Sequence, residues 1–124
     1  MDNIYNKIIN TQKKRGGASF ALVDPDLKND INLIDQLKVI NDSDFDFLLI
    51  GGSLIIDNNY SKRIDLIKSI SKIPLILFPG SAYQITNKVD AMLYISLLSG
   101  NNPQYLIGEH IQSAGIIHNM NLET

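Results

Sequence analysis

The chain has 124 residues, 44% hydrophobic and 19% charged, a balance that fits one globular domain and excludes a disordered polypeptide. A formal net charge of -2 and a pI near 5.5 leave no basic field for a phosphate backbone, so nucleic acid is not an expected partner. There is no cysteine, which excludes disulfides and thiolate metal sites; no apolar run is long enough to span a bilayer, and the start lacks signal-peptide order, so the cytoplasm is the expected location.

A leading helix is expected over 2–15, where Ile4, Tyr5, Ile8 and Ile9 share one face and Gly16-Gly17 supply the stop. Lys13, Lys14 and Arg15 crowd its last turn, where cations oppose the negative end of the helix. The first strand, near 18–24, is an apolar run halted by Asp24-Pro25-Asp26, because proline cannot continue a buried ladder. Asp30 is placed to cap a helix carrying Ile31, Leu33, Ile34, Leu37 and Ile40. A second strand near 45–51 stops at Gly51-Gly52-Ser53. A helix begun by Ser61, with Ile64, Ile67 and Ile70, then leads to a third strand near 74–79 that stops at Pro79-Gly80-Ser81. Residues 82–90 are short for a crossover with its own helix, and a fourth strand follows near 91–98. Asn102 as cap and Pro103 in the first turn open a last helix expected to bury Leu106, Ile107, Ile111 and Ala114.

Four nearly all-apolar strands alternating with helices describe an α/β fold with a parallel sheet. An open doubly wound sheet and a section of a barrel share this unit, and periodicity does not choose between them.

In either case the polar turns Asp24-Pro25-Asp26, Gly51-Gly52-Ser53, Pro79-Gly80-Ser81 and Ser99-Gly100-Asn101-Asn102 fall at the carboxyl ends of strands, where α/β folds bind ligands. Asp24 and Asp26, with Ser53 from the next strand, offer the hard oxygen ligands that magnesium shares with phosphate; a turn with a helix cap reads the same tripeptide. Gly51 and Gly52 let backbone amides approach an anion, or make a plain turn. Neither a dinucleotide fingerprint nor a P-loop is present. Tyr83 and Tyr94 are candidates for lining an apolar pocket, while His110 and His118 read as structural or exposed, away from this rim.

In order, Ala21-Leu22-Val23-Asp24-Pro25-Asp26, Ile50-Gly51-Gly52-Ser53, Leu77-Phe78-Pro79-Gly80-Ser81 with Gln84-Ile85, and the stretch from Tyr94 to Gly108 resemble the geranylgeranylglyceryl and heptaprenylglyceryl phosphate synthase family. The resemblance implies that residues 1–124 form a single partial domain, the amino-terminal half, about four βα units, of a modified TIM (β/α)8 barrel lacking an ordinary third helix. It implies Mg2+-dependent transfer of a polyprenyl group, geranylgeranyl at family level, from its diphosphate to sn-glycerol 1-phosphate in ether-lipid synthesis. Asp24 and Ser53 match the family's metal-site positions; Asp26, Gly51, Gly52, Ser81 and Tyr94 are the substrate-binding candidates. A homo-oligomer is also expected.

The departures are specific. Leu27 stands where many relatives carry lysine, with Lys28 one place later, and the family's later phosphate-gripping loops do not occur. A truncated chain, inactive alone, is therefore expected, with two free sheet edges and an uncovered inner face. A receiver-like magnesium-binding domain and a non-catalytic oligomerisation module are the rival readings.

Overall fold

The apolar runs pair side by side in the order in which they occur along the chain. In the computed structural model, which describes residues 3–51, 58–95 and 108–124, β1 (Phe20–Val23), β2 (Phe47–Gly51), β3 (Leu75–Phe78) and β4 (Ala91–Met92) form one sheet of order β1-β2-β3-β4. Every pairing is parallel, with Val23 opposite Ile50, Ile50 opposite Leu77, and Leu77 opposite Met92. Four helices accompany them among the described residues: α1 (Ile4–Arg15), α2 (Leu33–Asp42), α3 (Tyr60–Ile70) and α4 (Glu109–Met120). A doubly wound sheet reverses its strand order part-way, as a receiver does; this one advances in a single direction, as a barrel section does.

Alternation along the strands sorts their side chains into two cores. Ala21, Val23, Leu48, Ile50, Leu75 and Leu77 pack against Leu33 and Leu37 of α2 and Ile64 and Ile67 of α3. Each fully buried Ile or Leu there contributes about 1.5–3 kcal/mol over an exposed one. On the opposite face Phe47, Ile76 and Ala91 meet Ile4 of α1, with Phe20 stacked on Phe47 at 5.1 Å between ring centroids. The expected α2 stripe is narrower than the sequence implied: Ile31 precedes the helix and is exposed, and Ile34 is exposed on it.

α1 is tied down at both ends. The Asn3 side chain accepts from Asn6 N at 2.8 Å, and Gly16, at φ 83°, turns its N–H onto Gln12 O at 2.8 Å. Both oxygens of the Glu123 carboxylate accept the open amides of this helix, from Ile4 N and Tyr5 N, each at 2.9 Å. An anion at a helix amino terminus is stabilised by those unpaired donors and by the aligned peptide dipoles. The Glu123 carbonyl also accepts from Met92 N at 2.8 Å. The expectation of two free edges and a bare inner face is thereby corrected: Glu123 occupies part of the β4 edge, and α1 covers the amino-terminal end of the inner face. Among the described residues nothing pairs with the outer β1 edge, and Leu22 is exposed.

Two further expectations change. The Asp30 side chain does not cap α2, which starts after Asn32, because it pairs with Arg63 instead. Ile111 and Ala114 of α4 are exposed and Ser113 is buried; this helix meets the rim through its polar first turn and the core through Ile117. The predicted cap at Asn102, with Pro103, Leu106 and Ile107, lies outside the described residues.

Gly51 sits at φ 134°, and a Cβ built on it would lie 1.8 Å from the Phe78 carbonyl oxygen. Gly51→Ala combines backbone strain with a clash against rigid main chain, and a loss of about 3 kcal/mol is expected. Denaturant unfolding checks this; an unchanged midpoint would contradict it. Asp46 provides a pH test. The Ser19 amide and hydroxyl donate to its carboxylate at 2.8 Å each, and Arg15 adds an ion pair at 2.6 Å, which together hold its pKa below the ordinary 3.8. A depressed folded-state pKa gives stability that is present above 3.8 and is lost as pH falls further. Thermal melts of Asp46→Asn should show a lower Tm at neutral pH and a flatter decline below pH 3.8 than the unsubstituted chain.

Candidate functional site

The ladder ends at Val23, and the next residues form a short loop that carries two carboxylates. A single 3-10 turn at Leu27–Asn29 follows Asp26, and Asn29 ties the loop together: its backbone N donates to Asp26 O and its side chain to Asp24 O, both at 3.0 Å. Pro25 is fully buried, which anchors the loop from below. Asp24 Oδ1 is buried, whereas Oδ2 faces outward. Lys28 Nζ lies 3.7 Å from Asp24 Oδ2 and 3.7 Å from Asp26 Oδ2, so the two carboxylates converge on one cationic centre. Carboxylate oxygens are the kind of hard donor that magnesium prefers. Among the described residues no group of three or more His, Asp or Glu side chains has metal-binding geometry. Ser53 and Gly52 lie outside the described residues; Gly51 is placed at the end of β2, opposite Phe78.

Two residues that sequence reasoning overlooked hold this rim from beneath, and both belong to α3. Arg63 is 4% exposed and grips Asp30 through Nε at 2.5 Å and Nη2 at 2.9 Å, fixing the far end of the acidic loop. Tyr60 donates to Gln84 O at 2.7 Å, and burial pushes its phenol up to about 12, keeping it a donor. Gln84 in turn takes the Gly80 amide on its Oε1 at 2.8 Å. A charged residue within an amphipathic helix reads as solvated in sequence; only the fold shows that Arg63 faces inward.

The second part of the rim is a cavity of about 210 Å³ between the ends of β3 and β4 and the first turn of α4. Phe78, Ile85, Met92, Leu93 and Ile95 make it largely apolar, and Ser81 and Tyr94 line it as well. The Gly80 amide is taken by Gln84 and the Ala82 amide by Glu109 Oε2 at 2.7 Å, so neither of these two amides is open to an anion. His110 corrects the sequence reading: it belongs to the rim. Its ring stacks on Tyr94 at 4.2 Å, and Nε2 lies 2.5 Å from Ile95 O, which requires the proton on that nitrogen. Tyr83 does not line the cavity; it is 93% exposed.

The model of the PcrB family matches residues 9–124. The chain belongs to the PcrB family. It is 39% identical over 123 residues to the geranylgeranylglyceryl phosphate synthase of Chitinophaga pinensis, covering 98% of this chain and 48% of that protein. The enzyme of the same name from Flavobacterium johnsoniae is 36% identical over 123 residues, covering 99% and 51%. The crystal structure of (S)-3-O-geranylgeranylglyceryl phosphate synthase from Thermoplasma acidophilum in complex with substrate sn-glycerol-1-phosphate superposes with a TM-score of 0.79 at 25% identity, covering 99% of this chain and 50% of that one. This PcrB-family chain thus spans about half the length of its relatives, and its α/β fold corresponds to half of their barrel-like architecture. No described helix is long and apolar enough to cross a membrane.

Asp30→Asn removes a charge partner that grips a buried guanidinium through two nitrogens, and breaking such a pair costs about 3 kcal/mol. A lower denaturation midpoint, with faster hydrogen exchange at Asn29 and Asp30, is the expected outcome; an unaltered midpoint would show that Arg63 does not depend on this partner.

Proposed function

We propose that this chain supplies the magnesium- and diphosphate-handling half of a prenyltransferase that transfers a polyprenyl group from its diphosphate to sn-glycerol 1-phosphate. The observation that carries the reading is the convergence of Asp24 and Asp26 on one cation at the carboxyl end of a parallel sheet, in a chain whose relatives bear the synthase name. Asp24 and Asp26 are the residues that would hold Mg2+, with Ser53 as the matching third position. The bound ion would supply positive charge to the departing diphosphate.

The rest of the work assigned to this chain is positioning. Arg63 and Asn29 fix the acidic loop, while Gly51 lets β2 approach β3 closely beside it. The cavity under Ser81 and Tyr94 offers apolar surface to a prenyl tail and excludes water there; its volume matches only part of a C20 chain, so the tail would continue beyond it. Capture of glycerol phosphate and proton removal from its hydroxyl fall to parts of the barrel beyond these four strands. Inactivity of this chain alone, its assembly as a homo-oligomer and its cytoplasmic location belong to the same reading.

A chimera tests it. This chain replaces the matching half of the Chitinophaga pinensis protein, and prenylglyceryl phosphate is measured from geranylgeranyl diphosphate and sn-glycerol 1-phosphate. Magnesium-dependent product from the chimera and none from the chain alone are expected, with Asp24→Ala lowering turnover by about 100-fold or more. A chimera whose turnover ignores Asp24→Ala would overturn the metal assignment.

A further inference from the structure

The acidic loop already holds a cation of its own. Lys28 Nζ stands 3.7 Å from one oxygen of each carboxylate, on a side chain that is 62% exposed and anchored only through its backbone in the 3-10 turn. Two carboxylates this close to one ammonium are attracted to it and are screened from one another by it. A divalent ion entering the same oxygens would meet a positive charge at contact distance, so ion and ammonium exclude each other. The long exposed stem lets the ammonium leave without disturbing Pro25 or the Asn29 bonds that shape the loop.

We infer that Lys28 is a tethered counter-cation that fills the Asp24–Asp26 site when no metal is bound and must be displaced for a divalent ion to enter. The inference rests on the proposed function above and adds a coupling to it. A displaced ammonium seeks an anion, and a diphosphate arriving with the metal provides one at the same rim. Bare metal then competes with Lys28, while a metal–diphosphate pair gains from it. Ion and diphosphate are thereby favoured together over the ion alone, a coupling between two ligands transmitted by one side chain.

The test uses Mn2+ as a paramagnetic probe of the intact chain, titrated alone and as its complex with inorganic pyrophosphate, and read by electron paramagnetic resonance. Lys28→Met keeps the stem and removes the charge. It is expected to bind Mn2+ alone about tenfold more tightly than the unsubstituted chain and the Mn2+–pyrophosphate complex about tenfold more weakly; Lys28→Arg should stay close to the unsubstituted chain on both. Asp24→Asn should lose Mn2+ in either background. A purely structural lysine would not move the two affinities in opposite directions. If Lys28→Met leaves Mn2+ affinity unchanged or weaker while Asp24→Asn still abolishes binding, the counter-cation role is wrong and the metal site stands. If binding is indifferent to Asp24 with and without Lys28, the metal reading fails and takes this inference with it.

Discussion

An in-register parallel ladder governs everything above it. Val23, Ile50, Leu77 and Met92 stand in one row across the sheet, so the residues that follow them, Asp24, Gly51, Phe78 and Leu93, emerge at a common level. Parallel strands cannot be joined by tight turns, and the crossovers return each chain segment to the opposite end before the next strand begins. Among the described residues, the turns Asp24-Pro25-Asp26 and Pro79-Gly80-Ser81 therefore collect on one side. A slip of one residue in any pairing would exchange the two faces of that strand and send its loop to another height. The close contact of Gly51 with the Phe78 carbonyl is the tightest expression of this register, because no side chain fits between the two strands there.

α3 converts the ladder into a rim of defined shape. Its first turns reach the acidic loop through Arg63 and the Pro79-Gly80 loop through Tyr60 and Gln84. It also compensates for the helix that the β3–β4 connection lacks. Where a crossover helix would have covered the sheet, only the short turn Ala82–Gln84 is present, and Lys88 pins the connection to Ser61 at 2.8 Å and Asp65 at 2.7 Å. Val89 fills the core beneath. The exposed pair Lys88–Asp65 contributes little to stability by itself; its effect is to fix the path of the connection, and so the cavity wall that begins at Pro79.

Much of this was legible from residue pattern because strand and turn chemistry are local. The Asp24-Pro25-Asp26 stop, the Gly51 turn and the shortness of 82–90 each announce themselves within a few residues, and the order of the motifs led to the family. What escaped notice is long-range. Asp30 reads as a helix cap until a buried guanidinium from α3, 33 residues away, claims its carboxylate. His110 reads as remote from the rim because its distance along the chain says nothing of the fold that stacks it on Tyr94. Ile111 reads as core because α4 carries enough apolar residues for a stripe, yet it is exposed; α4 meets the core through Ile117 and the rim through Glu109 and His110. Polar residues that serve as joints between elements carry no local signature, and they are the ones that shape the site.

The two edges of the sheet differ in a way that bears on how such a half-barrel is completed. At β4 the Glu123 carbonyl accepts from Met92 N, and the same residue's carboxylate caps α1, so sheet edge, leading helix and the segment around Glu123 are locked into one unit at the amino-terminal end. At β1 no such closure exists among the described residues. Leu22 is exposed there, beside a groove of about 570 Å³ that runs past Asp24 to Val39 and Ile40 of α2. An open parallel edge with apolar flanks is costly in water and is normally paired or covered. Because Asp24 lines that groove, whatever covers β1 also sets the solvent exposure of the acid pair. Covering the edge would lower the local dielectric around Asp24, Asp26 and Lys28 and strengthen the charge interactions among them. The state of the β1 edge therefore bears directly on the electrostatics of the acidic loop.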